Sequence, residues 1–374
     1  MGSLPSPPPS LAPPESPENS ISRYRVYASF CFREPAPNIN VSNWIECYNP
    51  CDNTWSRVSS VPQLSENHVL KDFAMTSIAN SIYVIGGRLC RKEMPQFPGE
   101  SDNVLEAERK VLSSVWRYNV NSDHWSRCAS LNVPRYNFAC DVCDGKIFVV
   151  GGQSKLASAR GISSAEVYDP AQDVWTPLPN MSTLRYKCVG VTWQGKIHVI
   201  GGFAERGILD RIIVPYVDRS SAEVYNTESE KWDLMAGMWQ LDVPPHQIVS
   251  LDGKLFSSGD CLNAWKGQIE AYDGKLNIWN VVEGSQQNFL SLASYANEEN
   301  RSQIQRVYYL TMAPIGSHLY FLAIYRMVGE SSRTISMVRS FDTSMTGDGW
   351  RSFEPQEEEG EKELCSHCCV VQLS

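Results

Sequence analysis

Basic residues are a minority in this chain of 374 residues, which has 33 lysines and arginines against 42 acidic residues and a formal net charge of −9. The sequence also has no run of three or more consecutive basic residues. Proteins that bind nucleic acid or an anionic membrane use a basic face to neutralise phosphate. We therefore expect neither nucleic acid nor a membrane surface as the partner.

Long hydrophobic runs are missing as well. Nowhere do 18 consecutive apolar residues occur, and the N-terminus has no basic region followed by an apolar stretch, so neither a membrane span nor a secretory signal is predicted. The twelve cysteines lie mostly in apolar, strand-like segments such as Phe138 to Cys143, which indicates reduced, half-buried side chains. These features predict a soluble protein of the cytoplasm or nucleus, not a secreted one.

Motifs of catalysis and metal binding are not discernible. The sequence contains no GxSxG elbow, no GxxxxGK[ST] loop and no GxGxxG, and its six histidines are scattered. Cys140 and Cys143 form a CxxC, but on a strand their side chains face apart. The same argument applies to the Cys-Ser-His-Cys-Cys segment at 365–369, although zinc accepts such ligands. We expect no catalytic residue, no metal and no cofactor.

The N-terminal 22 residues differ from the rest because they contain seven prolines and six serines. Such a composition cannot bury a core, so residues 1–22 are predicted to be a disordered tail. From Arg23 onward the sequence repeats itself, and a repeat of this kind decides the fold.

The clearest repeat is an aromatic residue seven positions before a tryptophan, with one copy stretched by two residues. The six copies are Tyr48 and Trp55, Tyr118 and Trp125, Tyr168 and Trp175, Tyr225 and Trp232, Tyr272 and Trp279, and Phe341 and Trp350. A second repeat precedes the first: a turn, a short apolar strand and two glycines. The glycine pairs are Gly86 and Gly87, Gly151 and Gly152, and Gly201 and Gly202.

Each unit therefore reads as four short strands, named a to d in chain order. Turns such as Asp144-Gly145 join strands a and b, because glycine tolerates the positive φ of a two-residue hairpin turn. The aromatic residue falls on strand c and the tryptophan on strand d, where we expect them to be structural. One four-stranded sheet cannot bury both of its faces, but radial packing of repeated sheets can.

This pattern resembles the kelch repeat, whose marks are the diglycine after strand b and the spaced tyrosine and tryptophan. The resemblance implies a β-propeller over residues 23–374, and six aromatic–tryptophan marks predict six blades. We expect an all-β, six-bladed propeller with four antiparallel strands per blade, closed by the C-terminal strand joining the N-terminal blade. The predicted blades span about 73–135, 137–185, 186–240, 245–285, 307–355, and 365–374 together with 23–62.

A binding face is predicted where the longer b-to-c and d-to-a connections lie, because binding residues concentrate on variable loops held by a rigid scaffold. On that face Arg135-Tyr136 and Arg185-Tyr186 share one register, each arginine ten residues before a turn glycine, and Arg306 lies within one residue of it. Similar kelch propellers hold acidic segments with arginines at this position, because guanidinium grips carboxylate bidentately. The alternative is that Arg135 and Arg185 are structural.

The resemblance implies a protein-interaction module that recognises a protein partner. An acidic or phosphorylated segment of that partner is one candidate for what it binds. The chain looks like plant F-box/kelch proteins without the F-box, since 22 residues with seven prolines cannot build a helical adaptor domain. Any role in ubiquitylation would then need a ligase link from another chain. The alternative is a metal-dependent enzyme that acts on a small molecule at the mouth of the channel.

Overall fold

The computed structural model describes residues 21–33, 42–65, 67–93, 105–205, 219–286, 304–327 and 333–373. Within these ranges nearly all regular elements are β-strands, which confirms the all-β fold class. No helix there has the length and apolar character that a membrane crossing requires. Residues 1–20 of the predicted tail lie outside the described residues.

The strands of the first half are β1 (Tyr24–Phe32), β2 (Trp44–Asn49), β3 (Thr54–Ser60), β4 (His68–Lys71), β5 (Ala74–Ile78), β6 (Ser81–Ile85), β7 (Arg88–Glu93), β8 (Leu105–Val111), β9 (Val115–Asn119), β10 (His124–Cys128), β11 (Ala139–Cys143), β12 (Lys146–Val150), β13 (Ala165–Asp169), β14 (Val174–Leu178), β15 (Leu184–Tyr186) and β16 (Val189–Trp193). Those of the second half are β17 (Lys196–Ile200), β18 (Phe203–Glu205), β19 (Ala222–Asn226), β20 (Lys231–Met235), β21 (Ile248–Leu251), β22 (Lys254–Ser257), β23 (Glu270–Asp273), β24 (Ile278–Val281), β25 (Ile304–Ile315), β26 (His318–Met327), β27 (Arg333–Asp342), β28 (Trp350–Ser352), β29 (Gln356–Glu359), β30 (Lys362–Leu364) and β31 (Cys369–Gln372).

Most of the described strands belong to six antiparallel sheets, which we name blades. Blade 1 is β5-β6-β9-β10, blade 2 is β11 to β14, blade 3 is β16-β17-β19-β20, blade 4 is β21 to β24, blade 5 is β25 to β28, and blade 6 is β31-β1-β2-β3. The first-named strands contact one another in this order, and β31 contacts β5. They surround a channel of about 760 Å³. A ring of such sheets is the β-propeller fold.

The aromatic–tryptophan repeat is a cross-strand pair within each blade. Tyr168 lies directly opposite Trp175, and their ring centroids are 5.0 Å apart. The Tyr168 hydroxyl donates a 2.7 Å hydrogen bond to Asp173, which occupies the left-handed region at φ 52° in the turn. Tyr48, Tyr118 and Tyr272 donate in the same way to Asn53, Asp123 and Asn277. The spacing of seven therefore encodes both a ring pair and a turn.

In blades 1 to 5 the same tryptophans also tie the blade to the preceding one. The Trp175 indole N–H donates to the carbonyl oxygen of Ala129 at 2.9 Å. Equivalent bonds run from Trp125 to Ser59, from Trp232 to Pro179, from Trp279 to Met238 and from Trp350 to Ser285. A buried indole N–H needs such a partner, so one residue serves two blades.

The diglycines mark a second junction between blades. Gly151 and Gly152 have φ of 67° and 92°, and a Cβ on Gly151 would lie 2.7 Å from the carbonyl oxygen of Arg185 in the next blade. The Gly152 N–H donates to that same carbonyl oxygen at 2.8 Å. Both the positive φ and the close approach therefore require glycine here.

Blade 6 is composed of both ends of the chain. Strand β31 pairs with β1 from Tyr24 opposite Gln372 to Tyr27 opposite Cys369, and β30 continues the pairing with Phe30 opposite Leu364. The sequence predicts a closing strand within 365–374, and the structure begins β31 only at Cys369. We call the contact of β1 with β30, β31 and the segment between them the seam.

A buried carboxylate joins the seam to its neighbours. Glu363 accepts hydrogen bonds from Lys71, from Lys92 at 2.6 Å and from the Tyr309 hydroxyl at 2.8 Å. The Lys92 ammonium group, which is buried, also donates to backbone carbonyl oxygens at the end of β1. Burial alone would raise the pKa of Glu363, but the two ammonium groups outweigh it and hold this pKa at about 2.

This depressed pKa predicts a pH-dependent stability of the seam. Below the ordinary value of 4.5 the unfolded chain binds a proton at Glu363 that the folded chain refuses until about pH 2. The stabilisation is therefore complete above pH 4.5 and is lost as the pH falls toward 2, by about 3 kcal/mol. Urea unfolding between pH 2.5 and 7 measures this loss, which we expect to be absent from Glu363→Gln.

Glu357→Gln is the matched control, because the Glu357 side chain is 58% exposed. It should keep the native pH dependence. A native-like pH dependence in Glu363→Gln would contradict the assignment of the depressed pKa to Glu363.

Candidate functional site

One end of the propeller, which we name the loop face, has the longer connections between strands. It is formed by the b-to-c and d-to-a connections, and strands β4, β7, β8, β15, β18 and β29 all lie within them. The opposite end, the turn face, has tight turns such as Asp144-Gly145, both residues at positive φ. The loop face therefore offers the more varied surface, as the sequence predicts.

Arg135 does not reach that surface. Its side chain is 0% exposed, and its guanidinium donates to the carbonyl oxygens of Gly151 and Ser164, each at 2.9 Å. It also forms a 2.6 Å ion pair with Glu166 on β13. Glu166 in turn accepts the backbone N–H groups of Asn132 and Val133. All of these partners are internal.

Arg185 repeats the arrangement in blade 3. Its side chain is also 0% exposed, and it donates to the carbonyl oxygens of Gly201 at 3.0 Å and Ser221 at 3.1 Å. Its Nε lies 3.4 Å from Glu223, which also accepts the backbone N–H groups of Ser182 and Thr183. Each arginine thus binds the ends of strands b and c of its own blade.

The prediction that Arg135 and Arg185 grip a partner is therefore wrong. Both arginines have a structural role, which is the alternative that the sequence left open. A guanidinium that is removed from water needs a full set of internal acceptors, and both arginines have one. Burial lowers the pKa of Arg135 although the Glu166 carboxylate opposes the shift. Arg306, the third predicted arginine, lies on β25, but its side chain is outside the described residues.

The two predicted tyrosines lie nearer the surface of the loop face. Tyr136 is 5% exposed, bridges to Gln153 and has the Arg88 guanidinium 5.6 Å from its ring centroid. Tyr186 is half-buried, and its ring lies 5.1 Å from that of Phe203, its partner across β15 and β18. Each tyrosine thus lies beneath residues of a b-to-c connection.

A patch of aromatic and basic groups surrounds Tyr186, and we name it the blade 3 patch: Tyr186, Lys187, Phe203 and Arg219. The Arg219 guanidinium carbon lies 5.5 Å from the Phe203 ring centroid, and its Nε has no hydrogen-bond partner among the described residues. Lys187 is exposed and forms no ion pair within the described ranges. Sequence reasoning found only Tyr186, because the position after the diglycine varies between Arg88, Gln153 and Phe203. Arg219 occupies no repeated register.

The channel opens beside this patch and has a different character. Lys187 and the 74% exposed Leu262 line its mouth. Deeper in the channel, the rings of His246 and His367 meet edge to face, with their centroids 4.9 Å apart. Burial, together with the neighbouring His246, lowers the pKa of His367 to about 3. No group of three or more His, Cys, Asp or Glu side chains in the part of the chain described here could hold a metal ion.

The buried ion pair yields a test of the corrected role of Arg135. Arg135→Met would leave the Glu166 carboxylate buried without its cation, so we expect the free energy of unfolding in urea to fall by about 3–5 kcal/mol. Arg127→Met, on an exposed side chain of β10, should change it by less than about 0.5 kcal/mol. Equal unfolding midpoints for the two variants would contradict the buried, structural role of Arg135.

Comparison with known proteins agrees with the geometry. The Kelch motif model matches residues 134–182, which cover blade 2. An F-box/kelch-repeat protein from Arabidopsis thaliana is 30% identical over 126 residues, 34% of this chain and 30% of that protein. Kelch-like protein 24 from Homo sapiens is 29% identical over 118 residues, 31% of this chain and 16% of its own.

A longer match reaches beyond blade 2. Kelch-like protein 21 from Mus musculus is 25% identical over 263 residues, which is 64% of this chain and 40% of that protein. The chain thus spans less than half the length of these relatives. The motif match, the relatives and the repeated sheets together identify the chain as a kelch-repeat protein.

Proposed function

We propose that this kelch-repeat protein recognises a protein partner through the loop face of its propeller. The ring of blades is a rigid scaffold, and its variable connections meet at that one end, which is where binding residues concentrate. The F-box/kelch and kelch-like names of its relatives support an interaction role. Fold alone does not establish such a role, so the proposal depends on a particular surface.

The blade 3 patch is the observation that carries the proposal. It combines two aromatic rings in tilted contact, a guanidinium whose Nε has no hydrogen-bond partner among the described residues, and an exposed ammonium group. Aromatic and arginine side chains supply most of the binding energy in protein interfaces. The exposed Leu262 at the adjoining channel mouth adds an apolar contact. By contrast, Arg88 is already neutralised by Asp72 and Glu108.

An acidic or phosphorylated segment fits this patch best. Arg219 adds the positive charge of its guanidinium beside the Phe203 ring, and the exposed Lys187 offers a charge that no described carboxylate neutralises. Charge-assisted hydrogen bonds to carboxylate or phosphate are the stronger class of hydrogen bond. The partner proposed from the sequence is kept, while the cations that would hold it change from Arg135 and Arg185 to Lys187 and Arg219.

We further propose an adaptor role, in which the captured partner is brought to another protein. The relatives are named as F-box/kelch-repeat and kelch-like proteins, and the resemblance to them implies substrate recognition for a ubiquitin ligase. In this chain the ligase link would come through a separate protein. The proposed compartment is the cytoplasm or nucleus.

Affinity capture with the full chain tests the recognition face. Native protein is compared with Lys187→Glu/Arg219→Glu and with Lys231→Glu/Lys254→Glu, a control that makes the same change of charge on exposed lysines of the turn face. We expect partners captured by the native and control proteins to be lost by the patch variant, with at least a tenfold weaker affinity for the purified partner.

Treating the lysate with phosphatase separates the two partner classes: a phosphorylated segment loses binding, whereas an acidic one keeps it. Retention of every partner by a folded patch variant would contradict the proposed surface.

A further inference from the structure

Two cysteines from opposite ends of the chain meet at the seam. Cys31 lies on β1 opposite Glu363, and Cys365 directly follows β30, where its backbone N–H donates to the Ser29 carbonyl oxygen at 2.8 Å. Residues 29 and 31 share one face of β1, and residues 363 and 365 share one face of the paired segment. The two thiols are therefore diagonal neighbours on the same side of the seam.

Both thiols lie beside Glu363. The Cys31 thiol donates to Glu363 Oε1 at 3.2 Å, and the Cys365 thiol lies 3.6 Å from the Glu363 carbonyl oxygen. Both cysteines are buried and reduced, and they belong to the same buried cluster.

We propose that Cys31 and Cys365 are a site of oxidative modification, at which a reversible disulfide locks the seam of the propeller. The bond would connect β1 covalently to the segment that leads into β31. It would close a loop of nearly the whole chain, and a disulfide that closes a long loop restricts the unfolded state most strongly.

Local structure permits the small movement that the bond requires. A disulfide brings two sulfur atoms to about 2 Å, so the two side chains must move toward each other. Residues 365–368 belong to no strand and separate β30 from β31, so they can shift without breaking either ladder. Glu363 would lose the Cys31 hydrogen bond but keep those from Lys71, Lys92 and Tyr309.

Glutathione disulfide is a sufficient oxidant. The thiolate of Cys365 attacks one sulfur of glutathione disulfide and forms a mixed disulfide, and one glutathione leaves as thiolate and takes up a proton. The thiolate of Cys31 then attacks the Cys365 sulfur and displaces the second glutathione. Two protein thiols thus lose two electrons and two protons, and one glutathione disulfide becomes two glutathione thiols. Because both thiols are buried, the reaction proceeds through local opening of the seam.

The test uses the purified full chain in glutathione buffers that range from reduced to oxidised, followed by alkylation of free thiols and peptide mass spectrometry. We expect a linked peptide pair containing Cys31 and Cys365, with a rise of about 5 °C or more in the thermal midpoint. Dithiothreitol should reverse both. Cys365→Ser should show neither change.

Cys47→Ser is the matched control, because Cys47 lies across β1 from the seam, opposite Tyr27. It should keep both the linked peptides and the thermal shift. The proposal is overturned if both thiols of the native protein remain alkylatable while the exposed Cys51 and Cys261 become oxidised. It is equally overturned if the linked peptides form without a thermal shift. Either result is read on the native protein, so it stands even if Cys365→Ser fails to fold.

Discussion

Pairing of the two chain ends is the constraint on which the rest of the propeller depends. Five blades are each built from one stretch of the chain, but the sixth takes its innermost strand β31 from the C-terminus and the others from the N-terminus. Without β31, strand β1 would expose an unpaired edge, and blades 1 and 5 would lose the neighbour that covers their faces. The Glu363 carboxylate reinforces this pairing with cations from β4 and β7, so the loop-face strands of blade 1 are coupled to the closure of the ring.

Between the other blades, the same few contacts recur. A tryptophan indole bonds to the preceding blade, a diglycine approaches the backbone of the next one, and in blades 2 and 3 a buried arginine binds the ends of two strands. Buried ion pairs of this kind contribute little net stability but are costly to break. They hold the starts of strands a and c in register, and so they position the connections of the loop face. The proposed binding surface at Tyr186, Phe203 and Arg219 depends on that rigidity.

Much of this fold is predictable from the sequence, because its signals are local. The spacing from Tyr168 to Trp175 specifies a turn and a cross-strand pair, and the diglycines specify backbone that no other residue adopts cheaply. The role of Arg135 could not be read from its register, since a register gives position along a strand and not burial. A glutamate two residues before the repeat tyrosine gives no distinction either, because four blades have it: Glu46, Glu166, Glu223 and Glu270. The blade 3 patch also lacked a signal, because the residue after the diglycine differs in type from blade to blade and Arg219 lies in a connection outside the repeat.

Hydrogen exchange of the native protein tests the closure of the ring most directly. If pairing of the chain ends holds the propeller together, the backbone amides of β1 and β31 should exchange as slowly as those of β12 in the middle of blade 2, because all of them would open only with global unfolding. Exchange in β31 that is a hundredfold faster than in β12, with β12 still protected, would show that the ring persists without its closing strand. That result would contradict the account.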